Sequence, residues 1–137
     1  MPTKKSISKL KKELDKWFSL YIRLREATGQ GISQCFTCGK IDHYKKLQNG
    51  HFQSRRHHAT RWNEQNCQVQ CVKCNMFAQG EQWKFGMNIN AKYGAGTSDE
   101  LQFLAHTTVK KSRLDYEEDI RYYKTIVENL KKEKGIE

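Results

Sequence analysis

Apolar residues recur at three- and four-residue steps in two long segments, one near each end of the chain. The first segment, residues 6–27, carries Leu10, Leu14, Trp17, Phe18, Tyr21, Ile22 and Leu24. The second, from about Arg113, carries Tyr116, Ile120, Tyr123, Ile126, Val127 and Leu130. This spacing places the apolar residues on one side of a helix. The pattern therefore predicts an N-terminal helix capped by Ser6 or Ser8 and a longer C-terminal helix.

The middle of the chain has a less regular pattern. Residues 40–66 show no sustained period and predict an irregular hairpin and loop. A second helix is predicted from about Cys71 through Met87, followed by a turn-rich connector over residues 88–98. The stretch TSDE, residues 97–100, has the form of a capping box and predicts a short helix that begins with Thr97 as its cap.

Composition indicates a small core and a polyanionic partner. The chain has 137 residues, 36% of them hydrophobic, and a net charge of +10. Residues 1–30 and residues 31–61 each contribute +5, whereas the remainder is close to neutral. Clustered positive charge of this kind is typical of nucleic-acid binders. We expect a basic N-terminal helix over residues 1–30, a core over 31–90 and a C-terminal helical region over 91–137.

The apolar runs are far too short to span a membrane, and residues 1–16 lack the apolar segment of a signal peptide. A cytoplasmic protein is therefore expected. In that compartment thiols stay reduced, so five cysteines indicate a metal site and not disulfides.

Four of the cysteines form two C-x-x-C pairs, Cys35 with Cys38 and Cys71 with Cys74. Two such turns complete a tetrahedral zinc site with four thiolates and no open position, so the zinc would be structural. It would also fasten residues 39–70 at both ends. The remaining cysteine, Cys67, is expected to be a buried small hydrophobe.

The residues between and beside the cysteine pairs resemble a known family. The stretches CFTCG (35–39), GHF (50–52), the histidine and arginine run through His58 and Arg61, NEQNC (63–67) and QCVKCN (70–75) are similar to the zinc-bearing HNH, or His-Me finger, nucleases. The match is with the NinG/Rap family of phage recombination nucleases. The resemblance implies an α+β fold: a ββα-metal finger stapled by the four-cysteine zinc site and flanked by N- and C-terminal helices.

The resemblance also assigns roles in phosphodiester hydrolysis, which needs a base, a divalent ion and positive charge. It implies that His51 is the base, that Asn66 orients a backbone carbonyl beside it, and that Asn75 binds a catalytic Mg²⁺ or Mn²⁺. Many HNH enzymes have a metal ligand just before the base, where this chain has Gly50. Either His51 is itself a metal ligand, or His57 or His58 closes in as a ligand or second base. His58 is favoured as the helper, and Asp42 and His43 are outside candidates.

The basic residues near these positions are expected to contact DNA backbone, which positions a substrate without reading its sequence. They are Lys45, Lys46, Arg55, Arg56, His57 and Arg61.

Taken with the resemblance, the sequence predicts a metal-dependent DNA endonuclease that acts on branched recombination intermediates of the Holliday-junction type. Such substrates are two-fold symmetric, so a homodimer is expected, with the tyrosine-rich C-terminal helix as a dimer or packing surface. Host or phage recombination proteins are expected partners, in the host-cell cytoplasm if a phage encodes the chain. The alternative is a non-catalytic, zinc-stapled module that binds DNA or RNA.

Overall fold

A computed structural model describes residues 4–77 and 81–137 of the chain. In chain order the elements are α1 (Ile7–Leu24), β1 (Ile32–Gln34), β2 (Ile41–His43), a 3-10 turn (Tyr44–Lys46), β3 (Gln48–His51), α2 (His58–Arg61), β4 (Cys67–Gln70), a π-helical turn (Lys73–Phe77), α3 (Gln82–Tyr93), α4 (Thr97–Ala105) and α5 (Arg113–Lys134).

The two terminal helices are the ones that the sequence predicts, and they pack against each other. The Ser6 hydroxyl caps α1 by accepting a hydrogen bond from the Lys9 amide at 3.2 Å. Apolar residues of the two helices share one core, made of Leu10, Leu14, Phe18 and Ile22 from α1 and Tyr116, Ile120 and Tyr123 from α5. Burial of each large side chain contributes about 1.5–3 kcal/mol, so this contact is the main stabilising interface of the fold.

Four short strands form two separate antiparallel hairpins, β1 with β2 and β3 with β4. In the second hairpin Gly50 lies opposite Gln68, and His51 lies opposite Cys67. All four residues of β4 are buried, so the alternation of apolar and polar residues in its sequence CQVQ does not mark an exposed face. The hairpin of β3 and β4 and the π-helical turn after it hold most of the residues singled out for function.

The predicted helix from Cys71 through Met87 is wrong in its bounds. A π-helical turn covers Lys73–Phe77, and α3 begins at Gln82 and ends at Tyr93. Residues 88–93, predicted as a connector, are therefore helical. Nothing in NINAKY breaks a helix, and Ile89 packs with Phe85 and Leu101 in a buried cluster. The break comes at Gly94, whose φ of 121° suits glycine but not other residues.

The predicted capping box at Thr97 is also wrong. The cap of α4 is Gly96, at a φ of 88°, and Thr97 is the first helical residue. The Thr97 hydroxyl instead donates to the Gly94 carbonyl at 2.8 Å. A reciprocal capping box forms instead at α5, where Ser112 and Asp115 exchange hydrogen bonds.

The structure is thus α+β, with two small antiparallel sheets flanked by helices. None of the helices in the described ranges is long and apolar enough to cross a bilayer. α1 and α5 share a core with Cys67, and α3 continues past residue 90.

Candidate metal cluster and basic cleft

The four cysteines of the two C-x-x-C pairs come together in one cluster. The sulfur atoms of Cys35, Cys38, Cys71 and Cys74 all lie within 4.8 Å of one another. The sulfur atoms of Cys38 and Cys71 are 3.7 Å apart. A tetrahedron with Zn–S bonds of about 2.3 Å has sulfur atoms about 3.8 Å apart. The cluster therefore fits a zinc ion, as the spacing predicts.

Local structure explains why the pairs meet. The first pair lies on a turn in which the Cys38 amide donates to the Cys35 sulfur at 3.5 Å, and Gly39 closes this turn at a φ of 82°. The amide of Phe36 then donates to the Val69 carbonyl at 2.8 Å, which fixes the turn against β4. Because the second pair follows β4 directly, both pairs lie at the same end of that strand.

The fifth cysteine has a different environment. Cys67 is fully buried in the core between α1 and α5, and its sulfur lies 3.4 Å from the Arg61 carbonyl. Burial raises the pKa of its thiol well above the ordinary value. The prediction that it is a buried small hydrophobe is confirmed.

A cleft of about 880 Å³ lies between α1, the 3-10 turn, β3 and the π-helical turn. We call it the basic cleft. Its lining is mostly polar and comprises Asp15, Ser19, Arg23, Lys45, Lys46, Leu47, Gln48, Asn49, His51, Arg55, Val72, Asn75 and Met76. Four of these side chains are cationic and one is anionic, so the cleft attracts anions.

His51 lies in this cleft at the end of β3. Its Nε2 atom is 2.9 Å from the backbone carbonyl of Arg61. Since a carbonyl only accepts hydrogen bonds, Nε2 must carry the proton, and the lone pair of a neutral ring is then on Nδ1. The pKa of His51 is lowered to about 4, mainly by burial and also by the nearby Arg55 and Arg61 guanidiniums, while the Arg61 carbonyl opposes this shift. The ring is therefore neutral at neutral pH.

Asn66 is fully buried and holds the backbone next to the carbonyl that binds His51. Its Nδ2 donates to the carbonyls of Gln53 and Thr60 at 3.1 and 3.0 Å, and its Oδ1 accepts from the Gln53 amide at 2.7 Å. Thr60 directly precedes Arg61. The asparagine thus holds a backbone carbonyl, as the resemblance implies, but it is the carbonyl one residue before the His51 partner.

Asn75 lies on the π-helical turn and lines the basic cleft with His51. Its Nδ2 donates to the Gln48 side-chain oxygen at 2.8 Å. In this orientation the amide nitrogen faces Gln48, and Oδ1 is the atom that chemistry suits to a hard cation. The predicted metal ligand and the predicted base thus line the same cleft.

Gly50 has no room for a ligand. A Cβ atom built on Gly50 would lie 1.9 Å from the Oε1 atom of Gln70 and 2.8 Å from its Cγ. Gln70 is itself fully buried, and its Nε2 donates to the Thr37 hydroxyl at 2.7 Å. The space in which a metal-binding side chain would begin is therefore occupied by a side chain from β4.

Some of the residues predicted to contact DNA or to assist catalysis line the cleft, and others lie outside it. Lys45, Lys46 and Arg55 line it. His58 lies outside it on α2 with its ring 5.8 Å from that of Trp62, and His57 packs against His106 at 5.1 Å. Arg56 is exposed and outside the lining.

Arg61, Asp42 and His43 also make contacts within the protein. The Arg61 side chain is only 15% exposed and is bound by Asp15. Asp42 accepts a hydrogen bond from the His43 amide, and His43 accepts one from the Lys45 amide. Both Asp42 and His43 lie outside the cleft lining.

The sequence pattern missed the contribution of α1 to the cleft. Asp15, Ser19 and Arg23 occur at four-residue steps and form one polar stripe on this helix. Their spacing is visible in the sequence, but only the tertiary structure shows that this side of α1 borders a cleft.

A protein-family model for the bacteriophage lambda NinG protein matches residues 2–133 of the chain. No curated protein and no solved structure shows a significant match.

Proposed function

The chain belongs to the NinG family, and from that premise we propose that it is a metal-dependent DNA endonuclease that acts on branched recombination intermediates. The hairpin of β3 and β4 with the π-helical turn is, in this proposal, the ββα-metal finger of the His-Me nucleases. The four-cysteine cluster holds a structural zinc ion that keeps the hairpin and the turn together.

One observation carries the proposal: a histidine that is neutral at neutral pH lines a cleft rich in cationic side chains. A neutral imidazole can accept a proton, and its tautomer is set by the Arg61 carbonyl. His51 Nδ1 accepts the proton of the attacking water. An anionic phosphate near the ring favours the imidazolium and so raises its pKa toward the range of an effective base.

Asn75 supplies an amide oxygen for a catalytic Mg²⁺ or Mn²⁺. A neutral imidazole has a single lone pair, so His51 cannot serve as a base and as a metal ligand at the same time. We assign the base to His51 and the ligand to Asn75. When bound, the ion supplies positive charge at the scissile phosphate.

The cationic residues of the cleft hold the DNA backbone. Lys45 and Lys46 are exposed, and Arg55 is 61% exposed, so all three can reach phosphates. Arg23 is more enclosed and donates to the Tyr44 carbonyl at 3.1 Å, which suits a fixed contact at the cleft wall. Arg61 is not a phosphate contact in this proposal, because its side chain is only 15% exposed and two of its nitrogens donate to Asp15.

A homodimer would place two clefts on a two-fold symmetric junction. Within α5 the side chains of Tyr116 and Tyr123 are buried inside the chain, whereas Tyr122 is 56% exposed. Of these three tyrosines, only Tyr122 is therefore free to contact a second copy or another recombination protein.

The test uses a labelled four-way junction and a matched linear duplex, each with Mg²⁺, with Mn²⁺ and with EDTA. We expect cleavage of the junction with either metal, no cleavage with EDTA, and loss of cleavage in His51→Ala. The matched control is His106→Ala, which removes an exposed histidine outside the cleft and is expected to cut normally.

The outcomes separate the alternatives. A wild-type protein that binds the junction and leaves it intact with both metals would indicate a non-catalytic binding module. Normal cleavage by His51→Ala would overturn the assignment of the base and leave the nuclease class in place. Salt dependence cannot replace this test, because binding through phosphate contacts weakens with salt in both cases.

A further inference from the structure

We propose that Asp15 of α1 is a positioning residue for His51: its carboxylate holds Arg61, whose backbone carbonyl binds the His51 ring. The inference rests on the proposed function, because the orientation of the His51 ring affects catalysis only if His51 is the base. It concerns a residue 46 positions away from Arg61 and 36 positions before His51 in the chain.

The contacts of Asp15 converge on one short segment. Its Oδ1 accepts from Arg61 Nε at 3.1 Å and from Trp62 Nε1 at 2.9 Å. Its Oδ2 accepts from Arg61 Nη2 and, at 3.0 Å, from Arg55 Nη2. Two consecutive residues are thus tied to a rigid helix that belongs to the main core. The carbonyl between their α-carbons, that of Arg61, is the one that lies 2.9 Å from His51 Nε2.

The same contacts argue against another role for this carboxylate. Asp15 is the only carboxylate among the described residues that line the basic cleft, so it is an obvious alternative as a metal ligand. A carboxylate has about four acceptor sites on its two oxygens, and four donors from Arg55, Arg61 and Trp62 already occupy them. Binding a metal would require at least one of these hydrogen bonds to break.

Burial makes the clamp effective. The Asp15 side chain is 22% exposed and that of Arg61 15% exposed. A two-atom pairing between carboxylate and guanidinium fixes direction as well as distance, which one ammonium group cannot do. Asn66 donates to the carbonyl of Thr60, the residue before Arg61. The segment that presents the Arg61 carbonyl to His51 is therefore held by Asn66 at Thr60 and by Asp15 at Arg61 and Trp62.

The test compares Asp15→Asn with Glu13→Gln, a matched loss of one carboxylate on the same helix. Within residues 4–77 and 81–137, Glu13 pairs only with Lys5, whose side chain is 57% exposed, and it lies outside the cleft. Circular dichroism and zinc content check that each variant is folded. The first readout is the tautomer of His51, obtained from its ring nitrogen shifts in ¹⁵N NMR and assigned by their absence in His51→Ala.

We expect the wild type and Glu13→Gln to show a single tautomer with the proton on Nε2, and Asp15→Asn to show a mixture. The second readout is junction cleavage, in which we expect the Asp15→Asn kcat to fall about 10- to 100-fold, as for a misplaced catalytic group, with KM within about two-fold of wild type. Asp15→Glu keeps the charge and is expected to recover part of the loss.

An unchanged tautomer together with an unchanged kcat in folded Asp15→Asn would overturn the proposal. If Asp15→Asn does not fold, Arg61→Lys is decisive, because it keeps the carboxylate and its contact with Trp62 but removes the two-atom pairing. A wild-type tautomer and kcat in Arg61→Lys would then refute the clamp. If the wild type cuts no DNA, the proposed function fails, but the NMR comparison still decides whether Asp15 orients His51.

Discussion

The buried, neutral state of His51 makes the stability of the protein depend on pH in a predictable direction. The pKa of His51 falls from the ordinary 6.5 to about 4 on folding. Between these values the unfolded chain binds a proton at this position and the folded chain does not. Stability from this group is therefore fully present above pH 6.5 and is lost as the pH falls toward 4. At about 1.36 kcal/mol per pKa unit, the complete effect is about 3 kcal/mol.

The variant His51→Gln removes the titrating group and keeps an N–H that can donate to the Arg61 carbonyl. We expect the free energy of unfolding of the wild type to fall by about 2 kcal/mol more than that of His51→Gln between about pH 7 and about pH 4.5. The assay is equilibrium unfolding in urea with excess zinc, and zinc content is measured at each pH. Losses from protonation of the cysteine thiolates occur in both proteins and cancel in the comparison.

One outcome would contradict the predicted pH dependence. Equal losses in the two proteins would show that burial does not hold His51 neutral. The neutral state of the His51 ring would then no longer follow from burial, whereas the proton on Nε2 would still follow from the Arg61 carbonyl.

Three further predictions test the cluster, the hairpin and the core. Cys71→Ser is expected to lose zinc and the cooperative thermal transition, because a structural zinc ion contributes about 10–16 kcal/mol of binding free energy to folding. Cys67→Ala is the control and should retain zinc, as measured by mass spectrometry. A Cys71→Ser protein that is stable and binds zinc would refute the site. Gly50→Ala should lower the free energy of unfolding in urea by about 1–3 kcal/mol, because the new Cβ would displace the buried Gln70 side chain. An unchanged free energy of unfolding would contradict this prediction. Leu14→Ala, at a position with 0% exposure, should cost about 2–5 kcal/mol in the same assay, and a loss below about 1 kcal/mol would show that α1 is not part of the main core.

The elements that could be predicted from sequence are those whose cause is local. The apolar spacing of α1 and α5 implies a buried face wherever the helices pack, and both helices occur close to the predicted bounds. The failures between residues 71 and 98 have a physical reason too. The local sequence of residues 88–93 is compatible with a turn or with a helix. The helix forms because it buries Ile89 against Leu101.

The candidate site shows the same division. The two C-x-x-C pairs predicted the cluster of four cysteines, because two residues between cysteines let both sulfur atoms of a pair reach one ion. The packing of the first turn against β4 then brings the two pairs together. Family resemblance singled out His51, Asn66 and Asn75, and all three lie on or beside the β3–β4 hairpin. The tertiary structure decided which other residues accompany them: Arg55 and the lysines of the 3-10 turn line the cleft, whereas His58 lies outside it.

By itself the sequence determined the two terminal helices and the spacing within each C-x-x-C pair, since each depends on residues a few positions apart. Only the tertiary structure decided that Gly50 cannot carry a ligand and that Asp15 reaches Arg61. The first depends on a side chain from the neighbouring strand, and the second on a helix 46 residues earlier in the chain. A local pattern cannot specify such contacts, because they are determined by how the packed core places distant segments beside each other.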